Sequence, residues 1–252
     1  MTFHIETAWL LAVFYTTLRL GAVLLMSPIL SGLGSLVTVR VLLVLALSVM
    51  LVNGLKVPLP AHGLGPLLAG ALLELALGVM LAFGVHAGFA SFTLAGKVLD
   101  IQSGLGMGSV YDPVTRSSAP LFGTLLNMVA VVVFFALDGH HAFLRGLAYS
   151  LQQVPPGTGL AELPAEAVLR QFGLMFSLAV SLVIPVMLCL LLAEAALAMV
   201  SRVLPQMNMF VIGVPVKIVA AMLVLMLTAG SLGPAMERVY GGIFTYWEQV
   251  LG

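Results

Sequence analysis

The sequence is poor in charge, in cysteine and in recognisable catalytic signatures. Only 8% of its 252 residues are Asp, Glu, Lys or Arg, against about 25% in soluble domains, which excludes an ordinary water-soluble globule. Ten Lys+Arg balance ten Asp+Glu, leaving no basic surface for nucleic acid and no acidic tail. A single cysteine, Cys189, lies in an apolar run, so neither a disulfide framework nor a cysteine-built metal site is available. Met1 to Ala8 carry Glu6 and no Lys or Arg, and no small-residue cleavage pattern follows, so no removable signal peptide is expected. There is no Gly-x-Ser-x-Gly elbow, no His-Glu-x-x-His helix and no Walker A loop, so enzyme chemistry has no nominated nucleophile, base or metal. The chain reads as a non-enzyme without a cofactor.

What is abundant is apolar sequence: 61% hydrophobic residues and a mean hydropathy of +1.16. A helix needs roughly 20 apolar residues to cross a bilayer, and a charge at mid-membrane is costly, so charge-free gaps mark where spans fit. Such gaps fall at 20–39, 75–96, 117–137, 171–193 and 218–236, of 20, 22, 21, 23 and 19 residues. The fold class is therefore all-α and polytopic, built of membrane-type helical hairpins. Helices are expected from Ala8 to about Leu25, from Val39 to Asn53, from Leu67 to about Thr93, from Leu163 to about Val200 with a kink near Pro185, and from Val211 to about Leu232. Val154 to Gly159, with two prolines and two glycines, reads as an exposed turn. Tyr240, Tyr246 and Trp247, in the tail, suit a membrane interface. Basic residues are scattered over nearly every connection, so orientation is open.

Arg19, Glu74, Lys97, Asp100, Gln102, Glu194, Arg202 and Lys217 are charged or strongly polar within or at the margins of apolar helices, where each needs a partner, a cavity or a route to the interface. They read either as structural pairs or as an ion relay. Lys97 and Asp100, three apart, share a helix face and can neutralise each other. Glu194 and Lys217 fall on successive helices, so an antiparallel hairpin brings them together. Asp138, His140 and His141 superficially resemble a metal cluster, but neighbouring positions on a helix diverge by about 100°, so no metal site is expected. Gly84 and Gly88 form a GxxxG step that permits close helix packing.

The informative segment runs from Asp100 to Pro113. Gly104, Gly106 and Gly108, followed by Tyr111-Asp112-Pro113, will not sustain a regular helix, and the glycine spacing is not a dinucleotide fingerprint. Non-helical backbone between membrane-grade helices is tolerated where it is buried in protein or lines a cavity. Two readings stand at this point, a pore-lining or pore-closing loop and a plain interhelical turn.

Gly104-Leu105-Gly106 through Asp112-Pro113, Leu126-Asn127-Met128 with Asp138-Gly139-His140, the early Ser27-Pro28-Ile29-Leu30, and Leu204-Pro205-Gln206-Met207-Asn208-Met209-Phe210 running on to Pro215 together resemble the FliR family. These are export-gate subunits of flagellar type III secretion, related to the injectisome SctT family; Pro205-Gln206-x-Asn208-x-Phe210 favours the flagellar branch. Asp138 stands where asparagine is more usual, and Val114-Thr115-Arg116 where small polar residues are common.

The resemblance implies a helical-staircase assembly with FliP-like and FliQ-like subunits in the bacterial inner membrane, at the flagellar basal body. FlhB-like and FlhA-like components would lie nearby, and unfolded export substrates would pass through a central channel. Residues 1–160 would form a FliP-like part and 161–252 a FliQ-like hairpin. The plug loop would be Leu105, Gly106, Met107, Gly108, Ser109, Val110, Tyr111, Asp112 and Pro113, with Gly104, Gly106 and Gly108 as hinges. The rival class is an ion-coupled secondary transporter using Glu74, Glu194 and Lys217, against which the lack of an inverted repeat counts.

Overall fold

The computed structural model describes residues 7–29, 37–53, 64–107, 120–158, 164–204 and 208–252. Among these there are seven α-helices and no strand: α1 (Thr7–Met26), α2 (Val37–Val52), α3 (Leu64–Ser103), α4 (Leu121–Ala136), α5 (Gly139–Gln153), α6 (Ala165–Val203) and α7 (Met209–Leu251), with a 3-10 turn at Leu105–Met107. Four stretches are long and apolar enough to cross a membrane: α1, α3, α6 and Val211–Leu251 within α7. Exposed Leu and Val side chains along these helices need lipid or another protein as their surroundings.

The helices are longer than their sequence boundaries suggested. α3 continues past Thr93 to Ser103, and α7 runs through Pro234 to Leu251. Residues 100–103 are therefore helical, and the break in α3 comes at Gly104, whose φ of +87° is a conformation that glycine adopts without a Cβ clash. The prolines at 185, 215 and 234 sit inside helices, each removing one backbone donor without ending the element.

Packing divides the chain into two compact units: Met1–Ala87 with Asp138–Phe172 and Gly241–Gly252, and Gly88–Leu137 with Gly173–Tyr240. In the first, α1 lies against α3 at small residues: a Cβ on Gly78 would come 2.8 Å from the Arg19 carbonyl oxygen, and one on Gly70 2.8 Å from the Tyr15 hydroxyl. Gly84 and Gly146 make room for the rings of Tyr246 and Trp247. These rings are buried, donating from Tyr246 Oη to the Met80 carbonyl (3.1 Å) and from Trp247 Nε1 to the Leu81 carbonyl (2.9 Å). The tail is thus core rather than membrane interface. The aromatics sit there because each polar tip reaches a helix carbonyl while the ring body is desolvated.

In the second unit Phe89, Phe92, Phe134 and Tyr240 form an aromatic cluster with centroids 5.3 to 6.1 Å apart. The Tyr240 hydroxyl donates to the Ala130 carbonyl, which again places a residue expected at the interface in the interior.

Candidate functional site

The segment singled out by its glycines falls in the chain between α3 and α4, which pack against each other as a hairpin. α3 and α4 cross so closely that a Cβ on Gly96 would overlap the backbone of Gly123. One turn beyond that crossing, the buried Asp100 carboxylate accepts the backbone N–H groups of Phe122 (3.1 Å) and Gly123 (3.2 Å). α4 begins after Pro120, which has no side chain able to cap it. Asp100 supplies from the neighbouring helix the negative charge and acceptor oxygens that a helix N-terminus needs.

This overturns the Lys97–Asp100 pair expected from sequence: Asp100 is turned into the hairpin and Lys97 is exposed. Helical spacing allows the pair, but two unsatisfied N–H groups in a buried place are the stronger claim on a carboxylate.

From Gly104 the chain enters the 3-10 turn Leu105–Gly106–Met107. A Cβ on Gly104 would stand 3.1 Å from Val214 of α7. Gly108, Ser109, Val110, Tyr111, Asp112 and Pro113 lie outside the described residues. Of the expected hinges, Gly104 has the left-handed backbone and Gly106 lies within the 3-10 turn.

Beside this root is an open recess of about 730 Å³ among the ends of α3, α6 and α7, its wall mostly apolar, with Ile101, Leu197 and Val214, and carrying Gln102, Glu194, Ser201 and Lys217 as its polar groups. The hairpin formed by α6 and α7 brings Lys217 Nζ to 3.1 Å from Glu194 Oε1, the pairing that the sequence suggested. Arg202 occupies the last turn of α6, where a cation complements the helix dipole.

The other intramembrane charges meet in the first unit. Arg19 and Glu74 are fully buried and bidentate, at 2.7 Å and 2.8 Å. Arg19 also donates to the Ser150 and Val154 carbonyls (2.7 and 2.9 Å), and Glu74 accepts the Gly157 N–H at 2.8 Å. The Val154–Thr158 turn is thereby drawn inward, with Val154 and Pro156 buried, so it is not the exposed turn expected. A signal was present in the sequence: one Arg and one Glu inside apolar helices, without nearer partners along the chain.

Asp138 caps α5 in a left-handed conformation, φ 55°. Its carboxylate lies 3.3 Å from His141 Nδ1, and the two imidazoles stack with centroids 4.1 Å apart. The donor atoms of Asp138, His140 and His141 fall within 4.8 Å of one another, so the expected divergence of neighbouring histidines does not hold at this first turn.

A chain whose described residues form helices and turns, with four bilayer-length apolar helices and with Arg19–Glu74 and Glu194–Lys217 paired within them, is a membrane-embedded protein. The chain belongs to the family of bacterial export proteins, family 1, whose model matches residues 10–243, which is the FliR family of type III secretion. It is 27% identical to the flagellar biosynthetic protein FliR of Escherichia coli over 97% of this chain and 94% of that one. It is 28% identical to the FliR of Bacillus subtilis over 68% and 67%. The Yersinia pestis Yop proteins translocation protein T is 29% identical over 61% and 60%. The chain is a component of a type III export apparatus.

Proposed function

We propose that this chain forms, with FliP-like and FliQ-like subunits, the wall of a channel for unfolded export substrates in the bacterial inner membrane, and that Leu105–Pro113 helps to close it. Residues 1–160 act as the FliP-like part and 161–252 as the FliQ-like hairpin. The packing units interleave along the chain and are a separate division. FlhB-like and FlhA-like components complete the apparatus around this channel.

The observation that carries the reading is the α3–α4 stalk. The Gly96–Gly123 crossing and the Asp100 cap hold together the two helices between which the glycine-rich segment falls in the chain. A closure that must stop ions and later admit a polypeptide needs a soft apolar constriction on permissive backbone, and Met107, Val110 and Tyr111 supply the bulk. The rival transporter reading loses one relay member, because Glu74 is locked by Arg19 and Gly157.

Deleting Gly106–Tyr111 in the assembled complex is expected to make membranes leaky to ions and small solutes. Unchanged tightness, with the complex still assembled, would sink the plug assignment.

A further inference from the structure

We infer that the recess at the root of this segment is a water-filled pocket set into the side of the membrane-type α6–α7 hairpin. The inference rests on the chain being membrane-embedded and does not depend on whether Leu105–Pro113 seals a channel.

Three observations converge. The first is charge: Lys217 keeps only 17% of its side chain exposed, while its partner Glu194 keeps 65%. An ammonium with three donors and a carboxylate with several acceptor sites are not satisfied by one mutual contact of 3.1 Å. In hydrocarbon such a pair would be strongly disfavoured, so the face that carries it borders water or protein.

The second is an acceptor. Gln102 Oε1 is buried and accepts no hydrogen bond from any described residue, although a buried amide oxygen ordinarily has a partner. The third is room. The recess of about 730 Å³ is lined along α6 by Glu194, Leu197, Ala198 and Ser201, which follow the i, i+3, i+4, i+7 stripe of one helix face. The recess is far larger than one water needs, and Gln102, Ser201, Glu194 and Lys217 are the polar groups in its wall that can anchor water.

The opposite face of α6 at the same depth is apolar: Met199 is 64% exposed and lies between Ala198 and Ser201 in sequence. Water on one side of the helix and hydrocarbon or apolar protein on the other is therefore a property that single positions can report.

The test uses the one native cysteine. In a Cys189→Ala background, Ala198→Cys, Ser201→Cys and Met199→Cys are introduced singly into the complete export complex in native membranes. Incorporation is checked by co-purification, and each membrane face is treated with a charged, membrane-impermeant thiol reagent. Reaction needs a thiolate, which water supports and an apolar setting suppresses, so Ala198→Cys and Ser201→Cys should react at least about tenfold faster than Met199→Cys from one face. Either recess position suffices if the other fails to incorporate. Equal rates at all three positions would place this end of the hairpin in bulk water, and no reaction at the recess positions would show it dry; both results overturn the inference. Either can occur whether or not the segment deletion opens the membrane, so the two readings fail separately.

Discussion

Arg19 illustrates what a charge must find when a helix is buried. Its guanidinium directs four hydrogen bonds to Glu74 and two backbone carbonyls, and Glu74 takes a further N–H from Gly157. Such a pair gives little net stability relative to apolar residues of the same volume, but removing one member strands the other. Arg19→Ala is therefore expected to cost about 3–5 kcal/mol, read as a fall in the melting temperature of the detergent-purified complex. A double-mutant cycle with Glu74→Gln should show strong coupling. Near-additive effects would mean that the two groups do not depend on each other as their geometry requires.

At the scale of elements, the α3–α4 stalk depends on glycine asymmetrically. At Gly96 an added methyl meets the backbone of Gly123, which cannot rotate away, whereas at Gly123 it meets the Pro120 ring carbon at 3.1 Å. Overpacking of this kind costs about 1–3 kcal/mol, and more where nothing can yield. Gly96→Ala should thus impair assembly of the complex well beyond Gly123→Ala, measured by co-purification yield. Equal tolerance would argue that the hairpin is not closed at this point.

Much of this arrangement was legible in the residues, and the failures have physical causes. Charge-free gaps located α3, α6 and α7, because charge is costly at the middle of a span; the gap at 20–39 instead straddles the end of α1 and the start of α2, since α1 carries Arg19 with a buried partner. The Glu194–Lys217 pair followed from hairpin connectivity. The Asp100 cap did not, because spacing along one helix says nothing of a neighbouring helix whose N–H groups compete for the same carboxylate. The aromatic tail was misplaced for a related reason. Tyr246 and Trp247 are amphipathic wherever they sit, and only Gly84 and Gly146, more than 100 residues away, reveal that space was kept for them in the interior. The middle of the glycine segment, from Gly108 onward, lies outside the described residues, so its role rests on resemblance and on the stalk.

For the whole molecule, the chain leaves much of itself uncovered. Within the most apolar stretches of α6 and α7 only 28% and 17% of residues are buried by the chain itself, and Leu192, Met226 and Leu227 stand exposed at 70%, 78% and 84%. Contiguous apolar surface on this scale calls for lipid or partner helices. Expressed alone, the chain should aggregate in detergent or be degraded, and co-expression with FliP-like and FliQ-like chains should raise its monodisperse yield. A well-behaved solitary chain that ignores those partners would contradict the proposed assembly.

The Asp100 cap also sets a leash. Twelve residues separate Met107 from Pro120, and both ends of that stretch are moored to the same hairpin. At about 3.4 Å of contour per residue, travelling out and back, no part of it can stray farther than roughly 20 Å from its moorings. Under the proposed function, the channel it closes must come within that radius. Inserted residues would raise that contour limit without touching the Asp100 anchorage.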